Sequence, residues 1–493
     1  MADAARPGSA TANTLCEHAS KALLADYGVP LARERVAASP EDAVRAAGEL
    51  GYPVVLKLCG PGIAHKTERG LVRLDLPDAA AVRRASEALL ALRRPEDGDA
   101  HLLLAERVRG NRELIAGLFR DPQFGPCVML GLGGILAEAL RDTVFAVAPL
   151  DRAQARRMID GLRARDLFAR PFRGEPALDA DALAEALIGL GRLGLERSDV
   201  ESVDVNPLIA CGDRPIAVDA LVELRPGAAR AATAPRSADT AAVLERFRPL
   251  FHPRGIAIAG VSSHPGKFGF VAFHNLLRFG YRGDLFPLNR EGVEILGHPT
   301  LRDASQLPEG RADLVFVCTP NQVNVELLRT CAKAGVRAAF VASGGYGEAG
   351  AEGRAREREL VDAANELGML LAGPNGQGVI STAESMCAQI VAPYPPAGRI
   401  SVVSQSGNLV SALLNYAVET GVGISKAISA GNSAQTSVAD YLEYFGADPE
   451  TGVGLAYLEG IADGPSCIEA IRRFTATKPL VLVKGGVGAE GQR

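Results

Sequence analysis

The chain has 493 residues, enough for about three domains of ordinary size. Apolar residues make up 47% and charged residues 23%, the balance of a globular protein rather than a disordered or fibrous one. A net charge of −5, 5% aromatic residues and no tryptophan offer neither a basic surface nor a stacking platform for nucleic acid. Eight scattered cysteines without a CxxC pair suit a reducing cytoplasm, and no apolar run approaches the roughly 20 residues that span a bilayer.

Composition also divides the chain into segments. The opening residues 1–19 lack an apolar core and predict a disordered tail. Residues 20–225 predict a first domain with buried strands at PVVLKL and LLLAERV, and with two adjacent strands, VDVNPLIA and IAVDALVEL, joined by a turn at Gly212-Asp213. The stretch RPGAARAATAPRSADTAA is rich in alanine, proline and small polar residues, and predicts a linker over residues 226–243.

After the linker, apolar runs alternate strictly with amphipathic helical stretches. RGIAIAG, DLFPLN, DLVFVCTP and VRAAFVASGG predict a parallel sheet with helices on both faces over residues 244–380, closed by GMLLAGPNGQG. RISVVSQSG, VGLAYLEG and KPLVLVKGG predict a second α/β unit over residues 381–493. Because ligands bind beyond the carboxyl ends of such strands, we expect this last domain to be incomplete where the given sequence stops.

The segment GVSSHPGKFG, Gly260 to Gly269, follows a strand and opens a helix, a context typical of pyrophosphate binding. Lys267 adds a positive charge, although a tight turn without a ligand has the same pattern. An NAD site needs an acidic residue at the tip of the second strand, where this chain has Asn289 followed by Arg290. The tip therefore favours a phosphorylated ribose, as in CoA or NADP.

Two further strand ends carry polar groups in the last domain. In SQSGNL, the hydroxyls of Ser404 and Ser406 and the free backbone N–H groups at Gly407 fit a phosphoryl group, or else an ordinary serine helix cap. Glu459 ends the strand VGLAYLEG, where a carboxylate can orient a histidine or simply be a solvated strand end. In the middle domain, the residues at strand ends that would line a ligand crevice are Pro320, Asn321, Ser343, Gly344 and Asn375.

The first domain has its own candidate residues. Lys57 ends an apolar strand, and a buried ammonium needs an anionic partner such as a nucleotide phosphate. His65 and Lys66 lie in a glycine-flanked loop, where a neutral imidazole can accept a phosphoryl group or be an ordinary surface residue. Oxygen ligands for magnesium are offered by Asp204, Asn206 and Asp219. Residues of these types equally often form turns.

Together these segments resemble one family. GYPVVLKLCGPGIAHKTERGLVRLDL, FGPCVMLGLGGILAEAL and VDVNPLIA are similar to the ATP-grasp portion of ADP-forming acyl-CoA synthetases, relatives of succinyl-CoA synthetase. LFHPRGIAIAGVSSHPGKFG, GPNGQGVI, SVVSQSGNL, AISAGNSA and YLEG are similar to their CoA-binding and ligase portions. The resemblance implies an α/β chain: an ATP-grasp domain, a Rossmann-like CoA-binding domain, and an incomplete flavodoxin-like ligase domain.

The resemblance also implies an activity. These enzymes join a carboxylic acid to CoA while ATP becomes ADP and phosphate, reversibly, through acyl-phosphate and phosphohistidine intermediates, with Mg²⁺ at the ATP site. The residues that match the family's ATP, magnesium and catalytic positions are Lys57 and Glu106, Asn206 and Asp219, and His65 and Glu459. Those that match its CoA and phosphate positions are Gly260, Ser262, Lys267, Asn289, Thr319, Pro320, Asn321 and Ser343, with Ser404, Ser406 and Gly407. A cytoplasmic homo-oligomer is expected.

Two departures from the family pattern leave alternatives open. The main relay histidine of the family lies shortly after a strand like KPLVLVKGG, but the last histidine of this sequence is His298. The asparagine–cysteine pair of the family's GPNCxG turn is Asn375-Gly376 here. The alternatives are a non-catalytic CoA- and nucleotide-binding regulator, and an NAD(P)-dependent oxidoreductase that would account for the middle domain alone.

Overall fold

The computed structural model describes residues 13–63, 66, 68–134, 140–225, 239–391 and 393–485. The chain divides into two compact units, Met1–Pro235 and Arg236–Arg493. Along the described ranges, every helix is too short or too polar to cross a lipid bilayer. The domain boundaries that we expect at residues 225 and 380 remain predictions.

The first unit contains a four-stranded antiparallel sheet in the order β2-β5-β3-β4. Its strands are β2 Glu34–Ala37, β3 Val54–Cys59, β4 Val72–Leu76 and β5 His101–Glu106. Helices α2 Pro40–Leu50 and α3 Ala79–Ala91 pack against it. Every residue of β3 is buried, so the strand is apolar throughout except at Lys57. The charge of Lys57 therefore requires partners inside the protein.

The same unit contains a larger antiparallel sheet in the order β1-β11-β9-β6-β7-β8, with β10 paired to β9. Its strands are β1 Asn13–Thr14, β6 Glu113–Asp121, β7 Gly125–Leu132, β8 Thr143–Val147, β9 Val200–Cys211, β10 Arg214–Ala217 and β11 Ala220–Leu224. The helices of this part are α1 Glu17–Asp26, α4 Arg152–Gly161, α5 Asp166–Ala169 and α6 Ala180–Glu196. Strand β1 and the start of α1 thus lie within residues 13–19, which we expected to belong to a disordered tail.

The predicted strand IAVDALVEL is in fact two short strands. Both strands pair with β9: Ala217 of β10 lies opposite Leu208 of β9, and Ala220 of β11 lies opposite Val205 of β9. Between these pairs, Val218 and Asp219 face Asn206 and Pro207, and the Val218 N–H donates to the Pro207 carbonyl at 3.2 Å. The break therefore places Asp219 next to Asn206 at an interruption of the sheet.

The second unit begins with α7 Thr240–Phe251, so the predicted linker extends too far, by residues 240–243. A five-stranded parallel sheet follows in the order β13-β12-β14-β15-β16. Its strands are β12 Gly255–Ala259, β13 Asp284–Leu288, β14 Leu314–Val317, β15 Ala338–Val341 and β16 Leu370–Ala372, and its helices are α8 Phe268–Arg278, α9 Asn324–Lys333 and α10 Ala351–Glu366. The first strand, β12, lies between β13 and β14, so the strand order reverses at their carboxyl ends, where such sheets bind ligands.

A six-stranded mixed sheet completes the unit in the order β18-β17-β20-β19-β21-β22. Its strands are β17 Gly378–Ser381, β18 Met386–Gln389, β19 Ala397–Ser404, β20 Ile424–Ser429, β21 Val453–Leu458 and β22 Leu480–Lys484, and its helices are α11 Gly407–Thr420, α12 Val438–Ala447 and α13 Gly464–Thr475. The segment GMLLAGPNGQG ends the parallel sheet at β16 and opens β17 of this sheet. The prediction of two successive α/β units after the linker is confirmed.

The two sheets of the second unit share one apolar core. Helix α7 contributes Phe247 and Phe251, which stack on Tyr444 of α12 with ring centroids 5.0 and 4.8 Å apart. Phe251 also lies 5.9 Å from the ring of Phe445. The helix that follows the predicted linker is therefore packed onto the last sheet's helix layer.

Candidate functional site

One buried carboxylate in the first unit is paired with three lysines. Glu17, the first residue of α1, is 2% exposed. Its Oε1 accepts from the Nζ atoms of Lys21 and Lys57, each at 2.6 Å, and its Oε2 lies 2.7 Å from Nζ of Lys66. The chain has only eight lysines beside 45 arginines, so three lysines in one buried place are a notable concentration. An ammonium is a compact point charge on a flexible stem, suited to binding phosphate.

Two further carboxylates balance these lysines. Oε2 of Glu34 lies 2.9 Å from Nζ of Lys21, and Asp219 lies 3.1 Å from Nζ of Lys66 and 3.6 Å from Nζ of Lys57. Three ammonium groups therefore face three carboxylates, which compensates their burial. We call these six residues the lysine–carboxylate cluster: Glu17, Lys21, Glu34, Lys57, Lys66 and Asp219.

The cluster changes the ionisation of its members. Burial by itself would raise the pKa of Glu17, but the ammonium groups of Lys57, Lys21 and Lys66 together outweigh burial and hold that pKa well below its usual range. For Lys66, burial favours the neutral form, yet Glu17 and Asp219 raise its pKa above the usual value. The carboxylate and the ammonium therefore both stay charged near neutral pH.

The structure brings Lys57 to the predicted magnesium residues. Nζ of Lys57 lies beside Asp219 and also donates to the carbonyl of Val218 at 3.0 Å. Asn206 faces Asp219 across the interrupted sheet. The register of the flanking pairs thus sets Asn206 opposite Asp219, whose carboxylate lies beside the ammonium groups of Lys57 and Lys66. This is the chemistry that a magnesium-bound polyphosphate requires.

Asp204 lies two residues before Asn206, paired in register with Leu221 of β11. Although the residue keeps contact with solvent, partial loss of hydration around its carboxylate raises its pKa, and the negative charges of Asp219 and Glu223 raise it further. A cation would relieve this crowding of carboxylates. Asp204, which the sequence grouped with Asn206 and Asp219, is therefore close enough to Asp219 for their negative charges to repel.

Glu106 and His65 complete the predicted residues of the first unit. Glu106 ends β5 opposite Val54, and its carboxylate accepts from the backbone N–H of Arg33 at 2.9 Å and from Arg33 Nε at 2.7 Å. Its proposed place at an adenine ring remains a prediction. His65 lies outside the described residues.

In the second unit, the loop between β12 and α8 contains the first predicted CoA residues. Gly260 has φ +85°, a conformation that side chains other than glycine rarely adopt. A Cβ atom at Gly269 would lie 2.2 Å from the Gly260 carbonyl oxygen, so the helix starts directly against the strand end. Lys267 is the exposed N-cap of α8, and Ser262 Oγ accepts from the His264 N–H at 3.1 Å. The loop has the close strand–helix approach that pyrophosphate binding requires.

Asn289 connects this loop to the next strand end. Its Nδ2 donates to the Val261 carbonyl at 2.7 Å, and its Oδ1 accepts from the Glu291 N–H at 2.8 Å. Both ends of the amide are therefore engaged with backbone. The contacts make Asn289 a residue that holds two loops together at the carboxyl edge of the sheet.

A buried asparagine connects the ends of β14 and β15. Asn324 is fully buried; its Oδ1 accepts from Thr319 Oγ1 at 2.7 Å, and its Nδ2 donates to Ser343 Oγ at 3.0 Å and to the Tyr346 hydroxyl at 2.8 Å. Sequence analysis did not single out Asn324. No local signal distinguished it, since Asn324 is the first residue of α9 and asparagine is common at helix starts.

Pro320 and Asn321 form the turn that leads into α9. Pro320 precedes the short 3₁₀ turn Asn321–Val323. Asn321 Nδ2 donates to the Gly345 carbonyl at 2.7 Å, which joins the loop after β14 to the loop after β15. The predicted crevice residues thus occupy neighbouring loops at one edge of the sheet.

The second predicted phosphate site lies at the start of α11. Ser404 is buried, and its hydroxyl is used inside the turn: it donates to the Ser406 carbonyl at 2.8 Å and accepts from the Ser406 N–H at 3.0 Å. Ser406 is the helix N-cap, followed by Gly407, where a Cβ atom would lie 2.6 Å from the Gln377 side chain. Ser404 thus shapes the turn, while Ser406 and the first N–H groups of α11 remain the groups suited to an anion.

Glu459 is brought to this turn by a residue that sequence analysis did not single out. Gln405 Oε1 accepts from the backbone N–H groups of Glu459 at 2.6 Å and Gly460 at 3.0 Å. Lys484 Nζ donates to the Glu459 carbonyl at 2.8 Å. Gln405 lies between Ser404 and Ser406, so its amide fixes the tip of β21 beside the start of α11.

Three family models identify an ATP-grasp domain joined to a CoA-binding domain and a ligase-like domain, in agreement with the sheets described above. The chain matches the ATP-grasp domain family over residues 8–224, the CoA-binding domain family over residues 254–382, and the succinyl-CoA ligase-like flavodoxin domain family over residues 397–493. It is 39% identical over 209 residues to the beta subunit of acetate–CoA ligase [ADP-forming] I of Pyrococcus furiosus. Those aligned residues are 42% of this chain and 90% of that subunit. The chain belongs to the family of ADP-forming acyl-CoA synthetases, as the sequence predicted.

Two further relatives extend the comparison. Acetate–CoA ligase [ADP-forming] II of Archaeoglobus fulgidus is 29% identical over 484 residues, which are 97% of this chain and 69% of that protein. A chain of the dinucleotide-forming acetyl-coenzyme A synthetase 1 of Ca. Korarchaeum cryptofilum, solved with phosphate and ADP, is 34% identical. That match covers 50% of this chain and 53% of the solved chain with a TM-score of 0.48.

Proposed function

We propose that this chain carries out the ADP-forming ligase reaction of its family, joining a carboxylic acid to CoA as ATP becomes ADP and phosphate. The observation that carries the proposal is the approach of Lys57 to Asp219, opposite Asn206, inside the first unit. A lysine with oxygen ligands beside it suits a magnesium-bound nucleotide, and the sequence offered Asn206 and Asp219 together as ligands and Lys57 as a separate phosphate-binding candidate. The names of two sequence relatives, the acetate–CoA ligases [ADP-forming] of Archaeoglobus fulgidus and Pyrococcus furiosus, support the same reaction class.

In the proposed ATP site, Lys57 and Lys66 bind the nucleotide phosphates. Asn206 and Asp219 would hold Mg²⁺, and their hard oxygen atoms fit that ion. When bound, Mg²⁺ neutralises phosphate charge that the two lysines leave uncompensated. Asp219 has to exchange contact with the lysines for contact with the ion, and Glu17 keeps both ammonium groups in place during that exchange.

His65 lies six residues after the end of β3 in the sequence, and we propose it as a phosphoryl acceptor. A neutral imidazole nitrogen attacks the γ-phosphorus of ATP, the bond to the bridging oxygen breaks, and ADP leaves as the imidazole N–P bond forms. The second unit would bind CoA along the loop Gly260–Lys267 and the strand ends at Thr319 and Ser343. The start of α11, beside Glu459, would receive the phosphoryl group.

The first experiment measures thermal stabilisation of the full chain by ligands. A ligand that binds the native state raises the melting temperature, so we expect separate shifts with Mg-ATP and with CoA. Lys57→Met should abolish the Mg-ATP shift and retain the CoA shift, and a melting transition of the first unit that persists without ligand shows that this unit is folded. Lys333→Met removes an exposed lysine of α9 and should retain both shifts. Loss of the CoA shift in Lys57→Met, or an unchanged Mg-ATP shift, would contradict the proposed site.

The second experiment follows the γ-phosphate. Label from ATP should appear on a peptide that contains His65, and His65→Ala should remove it. ADP release that depends on both CoA and a carboxylic acid then identifies the acid, when straight-chain, branched and aromatic acids are compared in parallel. Equal labelling of wild type and His65→Ala would exclude His65 as the acceptor.

A further inference from the structure

A second group of side chains in the first unit combines two thiols and an imidazole. Sγ of Cys16, Sγ of Cys59 and a ring nitrogen of His101 all lie within 4.8 Å of one another. Cys59 is buried, and the other two are partly buried. All described cysteines, including these two, are free thiols.

Three different elements hold this group in place. Cys59 is the last residue of β3 and lies directly opposite His101, the first residue of β5. Cys16 is the N-cap of α1, and its side chain makes no capping hydrogen bond to the described helix. The ligand atoms are therefore positioned by paired strands and a helix start, not by a flexible loop.

The imidazole supplies an independent sign of a missing partner. His101 Nε2 is buried, and within the described part of the chain no hydrogen-bond partner reaches it. A buried polar atom is normally satisfied, because leaving it unpaired costs roughly 1–3 kcal/mol. A metal ion at the group would account for an imidazole that is held close to two thiols.

We propose that Cys16, Cys59 and His101 form a zinc-binding site. Thiolate sulfur and imidazole nitrogen are the ligands that Zn²⁺ prefers, and tetrahedral Zn²⁺ with bonds of about 2.3 Å to sulfur separates two sulfur atoms by about 3.8 Å. Separations of up to 4.8 Å need only small side-chain rotations to reach that geometry. Three protein ligands leave the fourth coordination position to water.

The charge balance of the two thiols favours Zn²⁺ at this group over further cations bound by the nearby carboxylates. Binding releases one proton from each thiol, and two thiolates with Zn²⁺ are electrically neutral together. A bound Zn²⁺ therefore adds no net charge beside the lysine–carboxylate cluster. Two members of that cluster are close in sequence, Glu17 to Cys16 and Lys57 to Cys59. Burial is the largest effect on the Cys59 thiol and raises its pKa, which the backbone N–H of His18 lowers only in part, so Zn²⁺ has to displace a firmly held proton from this sulfur.

A bound ion would connect the start of α1 to β3 and β5. Glu17 follows Cys16 directly, and Lys57 precedes Cys59 by two residues. The site would therefore fix the spacing between the two residues that form the closest ion pair of the proposed ATP site. The inference does not depend on the proposed function, because its measurements concern metal content and thiol chemistry only.

The experiment titrates Zn²⁺ into the full-length, reduced, metal-free chain in competition with a chromophoric chelator. We expect one tightly bound Zn²⁺ per chain, and with Co²⁺ a thiolate-to-metal charge-transfer band together with intense visible bands of tetrahedral cobalt. Cys16→Ser, Cys59→Ser and His101→Gln should each lose the tight site. Cys127→Ser and Cys211→Ser, a buried and an exposed cysteine of the same unit, should keep it.

A measurement on the unmutated protein guards against variants that fail to fold. Zn²⁺ should protect the partly buried Cys16 from alkylation, as mapped by mass spectrometry, while the exposed Cys211 reacts equally with and without the ion. Absence of tight binding by the wild-type chain, octahedral cobalt spectra, or retention of the site in all three ligand variants would overturn the proposal.

Discussion

Replacing Glu17 by glutamine tests the lysine–carboxylate cluster most directly. The change preserves shape but removes the charge that contacts Lys21, Lys57 and Lys66 at 2.6, 2.6 and 2.7 Å. The three lysine side chains are at most 8% exposed, so water cannot replace the lost carboxylate. Removing one partner of a buried ion pair costs about 3–5 kcal/mol.

That loss translates into a large thermal shift. For a unit of this size, 1 kcal/mol corresponds to roughly 2–4 °C, so Glu17→Gln should lower the melting temperature of the first unit by about 6–20 °C. Calorimetry of the full chain gives the shift, and hydrogen exchange along β3 assigns it to the first unit. Glu201→Gln is the matched control, since Glu201 pairs with Arg225 on the surface with 45% exposure. It should cost no more than about 1 kcal/mol.

A double variant separates charge imbalance from lost packing. In Glu17→Gln/Lys57→Met, the remaining ammonium groups pair one to one, Lys21 with Glu34 and Lys66 with Asp219. The double variant should therefore be more stable than Glu17→Gln alone. The reasoning is refuted if Glu17→Gln melts within the range of the surface control, or if adding Lys57→Met lowers stability further.

The same carboxylate gives a signed pH dependence. The pKa of Glu17 in the folded chain lies well below its usual range, whereas in the unfolded chain it returns to about 4.3. The unfolded chain thus binds the proton more readily, so Glu17's contribution to stability is complete above that pH and decreases as the pH falls through and below it. Urea titrations monitored by far-ultraviolet circular dichroism should show a steeper acid loss in wild type than in Glu17→Gln.

Three further substitutions test the second unit, and a fourth, Gly48→Ala in the first unit, is the control for one of them. Gly269→Ala should lower the free energy of unfolding by about 1–3 kcal/mol and weaken CoA binding, because its Cβ would meet a backbone oxygen at 2.2 Å. Its control is Gly48→Ala, in an open helical position of α2, which should be neutral or stabilise by up to about 1 kcal/mol. Gly376→Cys, which restores the family's residue, should destabilise the unit in urea titrations, because a Cβ there lies 2.4 Å from the Ser429 carbonyl oxygen; unchanged stability would show that the turn can move. Gln405→Leu should weaken inorganic phosphate binding measured by calorimetry, with little change in melting temperature, since the freed N–H groups reach solvent; unaltered phosphate affinity would exclude a role for this amide.

The parallel strands were predictable because strands buried on both faces are continuous apolar runs. RGIAIAG and DLVFVCTP became β12 and β14 with the expected ligand-side ends. The two antiparallel strands β10 and β11 were harder to predict. IAVDALVEL has the pattern of one apolar strand, and only its pairing with β9 shows the interruption at Asp219. Register across a sheet is a tertiary property that local pattern does not contain.

The candidate site divides in the same way. Lys57 was predictable because a charge in an apolar strand demands a partner, and Asn206 and Asp219 because they carry oxygen ligands on two neighbouring predicted strands. Glu17 was not predicted, since it lies 40 residues before Lys57 on a helix whose start we assigned to the tail. An available signal was the spacing of Glu17 and Lys21, one helical turn apart, in a chain that otherwise uses arginine.

The aromatic stack of Phe247 and Phe251 on Tyr444 has a practical consequence for dissecting this protein. Because the parallel sheet and the last sheet share side chains in one interior, neither half of the second unit can be expressed alone without exposing that stack to water. A fragment that begins at residue 381 should be insoluble or molten, whereas one that begins at residue 239 retains α7 and should fold. The two halves should also melt in one calorimetric transition, so a ligand bound by either half raises the resistance of both to proteolysis.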